Sequence, residues 1–307
     1  MRCFSSQCAA SILFVLTVFS TAVSASAPPE RLKVTATIFP LADIVRQVGG
    51  NRVHVVTLLR PGILPFSYQL GQIQIRQAIG TALYVRVGNG LDAWGDNLFS
   101  NAIAQPLTIT ITNLVDPLQR DNSAVLDDKK AFGQTGKVEP WVWLDPLFVR
   151  DRILPVISAS LIRLRPGDAR YFKVNERKYF EELTKLDQAM RSVLQQLPGR
   201  GFVATHAIWG SLATRYGLHQ IARIEPSFAD APSELNQDSL AEAAQKLDII
   251  AVFGDPWSKV SPSRMLAERL HGRFILLDPL GGEQLPGRHS YIALMYYNLS
   301  LIKNGMK

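Results

Sequence analysis

Cysteine is almost missing. The 307-residue chain has two, Cys3 and Cys8, and none beyond the eighth position. That excludes a disulfide framework and a cysteine-based zinc site from the rest of the chain. Charge is also sparse, at 19% of residues against 47% hydrophobic ones. Such a balance excludes a disordered chain and supplies enough apolar surface for a sizeable core. Basic residues outnumber acidic ones, 33 to 26, but they are scattered. Without a local patch this diffuse excess gives no support for a nucleic-acid partner, and none is expected. Enzyme signatures are missing too: there is no G-x-S-x-G elbow, no Walker motif, no H-E-x-x-H and no C-x-x-C. The chain therefore reads as a binding protein and not as an enzyme.

The one pronounced apolar run lies at the start. Arg2 is the only charged residue before position 30, and it precedes Ile12-Leu13-Phe14-Val15-Leu16 within a longer apolar stretch. Small residues follow, ending in Val23-Ser24-Ala25, an A-x-A-like cleavage site. The stretch is shorter than the roughly 20 residues a spanning helix needs. Residues 1–25 are expected to be a cleaved signal peptide and the remainder a soluble periplasmic protein. Neither cysteine follows the apolar run, where a lipid-bearing cysteine would stand.

Beyond it, β-branched stretches at 32–39, 53–59, 82–87 and 107–113 alternate with helical spacing at 41–48, 72–79 and 91–102. The alternation resumes with strands at 201–204, 219–224, 249–254 and 273–277. Helices are expected at 208–216, 234–246, 261–270 and 291–303. Strands alternating with helices imply α/β lobes with parallel sheets. Between the halves, residues 169–196 carry Phe172, Tyr179, Leu183, Leu186, Met190 and Val193 at helical spacing with no Gly or Pro. At 1.5 Å per residue that helix would be about 40 Å long, enough to lie across two lobes. The expected organisation is an N-terminal lobe over 26–165, a linking helix over 166–198 and a C-terminal lobe over 199–307.

In open α/β sheets ligands bind beyond the carboxyl ends of the strands. His206 follows one strand there by two positions, and Asp278 ends another. An imidazole and a carboxylate at strand ends suit a metal ion or a polar ligand group. A capping histidine and a turn-forming aspartate would look the same at this spacing. His54, His219, His271 and His289 read as structural or solvated residues. Gly88-Asn89-Gly90-Leu91-Asp92-Ala93 formally matches a dinucleotide fingerprint, but it follows the third strand, not the first, in a chain expected to be exported.

Taken in order, several segments resemble the solute-binding proteins of zinc and manganese ABC importers, the ZnuA/TroA-like family. They are Val34 to Leu41, Arg60-Pro61-Gly62, Asn89-Gly90-Leu91-Asp92-Ala93-Trp94, Trp143-Leu144-Asp145-Pro146, Thr205-His206 and Leu277-Asp278-Pro279-Leu280. The resemblance implies two Rossmann-like lobes joined by one long rigid helix, and a monomer that hands its ligand to an inner-membrane ABC permease. It also implies a cleft lined at four ligand positions. Two of the four depart from the pattern: the expected histidines are Phe66 and Trp141, while His206 and Asp278 stand in the third and fourth positions. A histidine-rich loop is absent, since 114–139 holds no His. One imidazole and one carboxylate leave half of a four-coordinate zinc shell open. Three readings follow. The cleft takes a zinc- or manganese-class ion through His206 and Asp278 with further donors such as Glu139 or Glu225. Or its aromatic residues, Phe66 and Trp141, take an organic ligand. Or the protein serves a non-transport role, such as adhesion.

Overall fold

Two four-stranded sheets, each wholly parallel, frame the computed structural model, which describes residues 30–116, 139–197, 201–224, 249–257 and 260–307. The first sheet contains β1 (Leu32–Ala36), β2 (Val53–Thr57), β3 (Leu83–Arg86) and β4 (Leu107–Thr110), in the order β2-β1-β3-β4. The second contains β5 (Gly201–Ala204), β6 (His219–Arg223), β7 (Ile249–Gly254) and β8 (Arg273–Leu276), in the order β6-β5-β7-β8. The two orders are the same pattern. Each lobe steps from its first strand to one neighbour and then crosses to the other side. The α/β reading of the sequence holds in both halves.

Local chemistry sets the helices. In α1 (Phe39–Gly49), Leu41, Ile44, Val45 and Val48 share a buried face, and Pro40 occupies the first turn, where a missing N–H costs nothing. The helix stops at Gly50, whose φ of 50° favours glycine, and a Cβ there would run into the Tyr171 hydroxyl. Helix α2 (Gln72–Ala78) follows β2. Helix α3 (Leu154–Leu164) grows out of a π turn over Val149–Ile153, and the sequence reading left it unassigned. Pro155 lies in its first turn, where proline is tolerated, so a residue that usually breaks helices hides this one.

Helix α4 (Ala169–Leu194) runs 26 residues, close to the expected 169–196, and buries Phe172, Tyr179, Leu183, Leu186, Met190 and Leu194. It packs against α1 and α3 from the first half of the chain. From the second half it meets α5 (Gly210–Tyr216) and α7 (Tyr291–Gly305). Polar ties accompany the packing: Asn175 Nδ2 donates to Val48 O at 3.0 Å, and the Tyr216 hydroxyl donates to Asp187 Oδ1 at 3.1 Å. Helix α6 (Val260–Arg269) covers β7 and β8.

One expectation fails. Residues 91–102 form turns and a single 3₁₀ turn (Ala93–Gly95), not a helix. Asp92 draws the chain back, accepting the backbone N–H groups of Val87 at 2.6 Å and Gly88 at 2.9 Å, and Trp94 Nε1 donates to Pro65 O. Those bonds, with Gly90 just before the segment and Gly95 inside it, outweigh its helical spacing. The same Asp92 contacts account for the Gly88–Ala93 motif as a closed turn. The helix expected over 234–246 lies outside the described residues.

Candidate ligand cleft

In the second sheet the strand order reverses between β5 and β7, so their carboxyl ends open the crevice where α/β sheets place ligands. His206 stands two residues beyond β5 and Asp255 directly follows β7. Their approach is built by the loops. Thr205 donates its backbone N–H to Phe253 O at 2.8 Å, and its hydroxyl shares a 2.8 Å hydrogen bond with that of Ser263. His206 Nδ1 and Asp255 Oδ2 then lie 2.6 Å apart, with the two residues 3% and 1% exposed. Asp255 Oδ1 accepts the Trp257 N–H at 3.2 Å. A carboxylate on Nδ1 fixes the ring's orientation and assigns Nε2 as the nitrogen that would meet a ligand. Sequence reasoning did not find Asp255. Its one signal, an aspartate directly after a buried strand, also describes a turn before Pro256.

Asp278 follows β8 by two positions and is buried. Asn298 pins its backbone on both sides, accepting the Asp278 N–H at 2.9 Å and donating to its carbonyl at 2.6 Å. Both carboxylate oxygens have partners. Oδ1 accepts from the backbone N–H groups of Leu280 and Gly281, and Oδ2 accepts from Arg288 Nη1 at 2.8 Å.

Phe66 and Trp141 come together, their ring centroids 6.1 Å apart in an edge-on arrangement. Trp141 also meets Trp143 at 5.2 Å and stacks on Trp257 at 6.4 Å. Trp141 is 1% exposed, whereas Phe66 is 39% exposed. The rings join segments distant in the chain, since Trp257 Nε1 donates to Gly62 O at 3.2 Å and Trp143 Nε1 to Pro279 O at 2.9 Å. Below them, the Tyr291 hydroxyl donates to Trp143 O at 2.7 Å, and burial pushes its titration well above the ordinary range, so it stays a neutral donor. Asp145 accepts a forked pair of bonds from Arg215, at 2.9 Å from Nε and 2.6 Å from Nη2.

Among the described residues, no three His, Cys, Asp or Glu side chains converge as a group that could hold a metal ion. The Glu139 carboxylate occupies the space a Cβ on Gly210 would need, four residues beyond His206, and Glu225 lies outside the described residues. A groove of about 1030 Å³ lies elsewhere, at the amino ends of β3 and β4, lined by Ile79, Phe99, Ile103 and Arg163 among others. None of the cleft residues described above, from Phe66 and Trp141 to His206, Asp255 and Asp278, borders it. No described helix is long and apolar enough to cross a membrane.

Comparison with known proteins gives one consistent answer. The family described as "Zinc-uptake complex component A periplasmic", ZnuA, matches residues 34–305. A zinc-binding protein AdcA of Streptococcus pyogenes serotype M3 is 24% identical over 288 residues, covering 89% of this chain. The chain spans only 56% of that relative's length. The high-affinity zinc uptake system protein ZnuA of Bacillus subtilis is 20% identical, covering 94% of this chain and 91% of its own. The structure of the periplasmic zinc-binding protein TroA from Treponema pallidum superposes with a TM-score of 0.76 at 22% identity. That superposition covers 90% of this chain and 99% of TroA, and it supports the two-lobed fold.

Proposed function

This chain belongs to the ZnuA family, matched over residues 34–305, and from that premise we propose that it is the solute-binding component of a metal-type ABC importer. In this reading it captures a zinc- or manganese-class ion in the cleft between its lobes and delivers it to an inner-membrane permease. Residues 1–25 are removed on export to the periplasm. The N-terminal lobe over 26–165, the linking helix over 166–198 and the C-terminal lobe over 199–307 then act as a monomer without enzymatic activity. The observation that carries the reading is the buried His206–Asp255 pair at the switch point of the second sheet. It is the arrangement in which a second-layer carboxylate orients a metal-binding imidazole and raises its basicity. His206 is the protein donor in this reading, water completes the shell, and Asp278 joins it only where its carboxylate leaves Arg288. An organic ligand held between aromatic faces draws less support, because Trp141 is enclosed by Trp143 and Trp257.

The test is metal analysis of the purified protein, followed by competitive zinc titration against a chelating dye at neutral pH. His206→Ala should abolish the zinc binding seen in the wild type. Asp255→Asn, which leaves the imidazole but weakens its support, should reduce affinity by about 10–100-fold. Tight binding that survives His206→Ala would place the ion elsewhere.

A further inference from the structure

Asp278 has a cation already. Arg288, ten residues further on, reaches back so that its Nη1 donates to Oδ2 at 2.8 Å. The contact is built from several sides. The Arg288 guanidinium carbon lies 5.0 Å from the ring centroid of Tyr297. Its backbone N–H donates to Leu285 O at 3.0 Å, and its carbonyl accepts from Gly282 N–H at 3.1 Å. Gly281 and Gly287, at φ 62° and 71°, supply the left-handed turns that fold this loop back. With Oδ1 committed to Leu280 and Gly281, the one carboxylate oxygen not held by backbone is the one the arginine holds.

A divalent ion at that oxygen would sit beside a fixed positive charge, and at a few ångströms in a buried site that repulsion is large. An arginine, unlike a lysine, also stays charged and keeps its fork in place. We propose that Arg288 is the affinity-setting residue of the cleft: it is the resident counter-cation of Asp278, and a metal ion gains that carboxylate only by displacing the guanidinium. The inference rests on the reading of the cleft as a metal site. It predicts that the wild type relies on His206, with Asp278 contributing little.

The experiment is a double-mutant cycle in zinc affinity on the full chain, using wild type, Arg288→Gln, Asp278→Asn and the double variant. A chelating dye reports binding, and the zinc-induced rise in melting temperature gives a second readout. Arg288→Gln should tighten zinc binding by about tenfold or more, the gain expected when a freed carboxylate replaces a water ligand. Asp278→Asn should change the wild type little but cancel the gain in the Arg288→Gln background. Unchanged or weaker binding in Arg288→Gln overturns the inference and leaves the His206 reading intact. A wild type that binds no zinc, beside an Arg288→Gln variant that binds it through Asp278, upholds the inference and sinks the transport reading. If Arg288→Gln does not melt cooperatively, Arg288→Lys takes its place. That variant keeps the charge but loses the fork and the stacking, so any tightening it gives supports the displacement and none overturns it.

Discussion

Asp43 shows how much a single buried carboxylate can govern here. It accepts the Tyr291 backbone N–H at 2.8 Å and Gln47 Nε2 at 3.2 Å, under the turn that starts α7. Burial raises its carboxyl above the ordinary 3.8, outweighing the Tyr291 and Gln47 hydrogen bonds and the charge of Arg46, which lower it. A folded value above the unfolded one means that the fold favours the protonated acid. The contribution is complete below pH 3.8 and is lost as pH rises through the folded value. Asp43→Asn keeps an acceptor for Tyr291 with no charge to bury. It should melt at or above the wild type at pH 7, with the difference shrinking as pH falls towards 3.8, as followed by circular dichroism. A large loss at pH 7 would mean that the Arg46 charge outweighs burial. At this same scale the sequence was only half readable. His206 and Asp278 stand out because strand ends in an α/β pattern mark ligand positions. Asp255 and Arg288 do not, since their roles depend on which strands become neighbours and on a loop folding back over ten residues.

Among the elements, α4 was legible to within two residues because 26 positions of uninterrupted periodicity leave no competing structure. The segment over 91–102 misled for the opposite reason: short periodicity yields to one carboxylate collecting backbone donors. The buried seam of α4 meets helices from both halves of the chain, so damage to it should be felt in both. Leu186→Ala, at a fully buried position, should cost about 2–5 kcal/mol through lost burial and the cavity left behind. The loss should appear as one shifted transition in urea. Tryptophans at 94, 141, 143, 209 and 257 report on both halves, so their fluorescence and far-ultraviolet circular dichroism should coincide. Two separated transitions would mean that α4 stabilises one half alone.

At the scale of the whole molecule, the ties around the cleft decide how far it can move. Residues Arg31–Lys307 form one compact unit. Within it the forked Arg215–Asp145 pair, the Trp143 bond to Pro279, the Trp257 bond to Gly62 and the Tyr291 bond to Asp43 all join segments far apart in sequence. Helix α4 lies across both sets of helices as well. A wide hinge closure needs a few loop residues free to absorb large backbone changes while both lobes move as bodies. Here such a motion would break the buried Trp143 and Tyr291 hydrogen bonds, each costing about 1–3 kcal/mol when its partner is left unpaired, together with the part-buried Arg215–Asp145 pair and the exposed Trp257 bond. In the proposed reading, ligand binding therefore works by local rearrangement around His206 and the Asp278–Arg288 loop. In small-angle scattering the radius of gyration should stay near about 19 Å, the value for a compact chain of this length, whether zinc is present or removed by chelator. Hydrogen exchange should slow only around 205–209 and 278–289. A clear compaction on adding zinc would mean that the ties across the cleft open in solution, and that the lobes close on their ligand as a hinge.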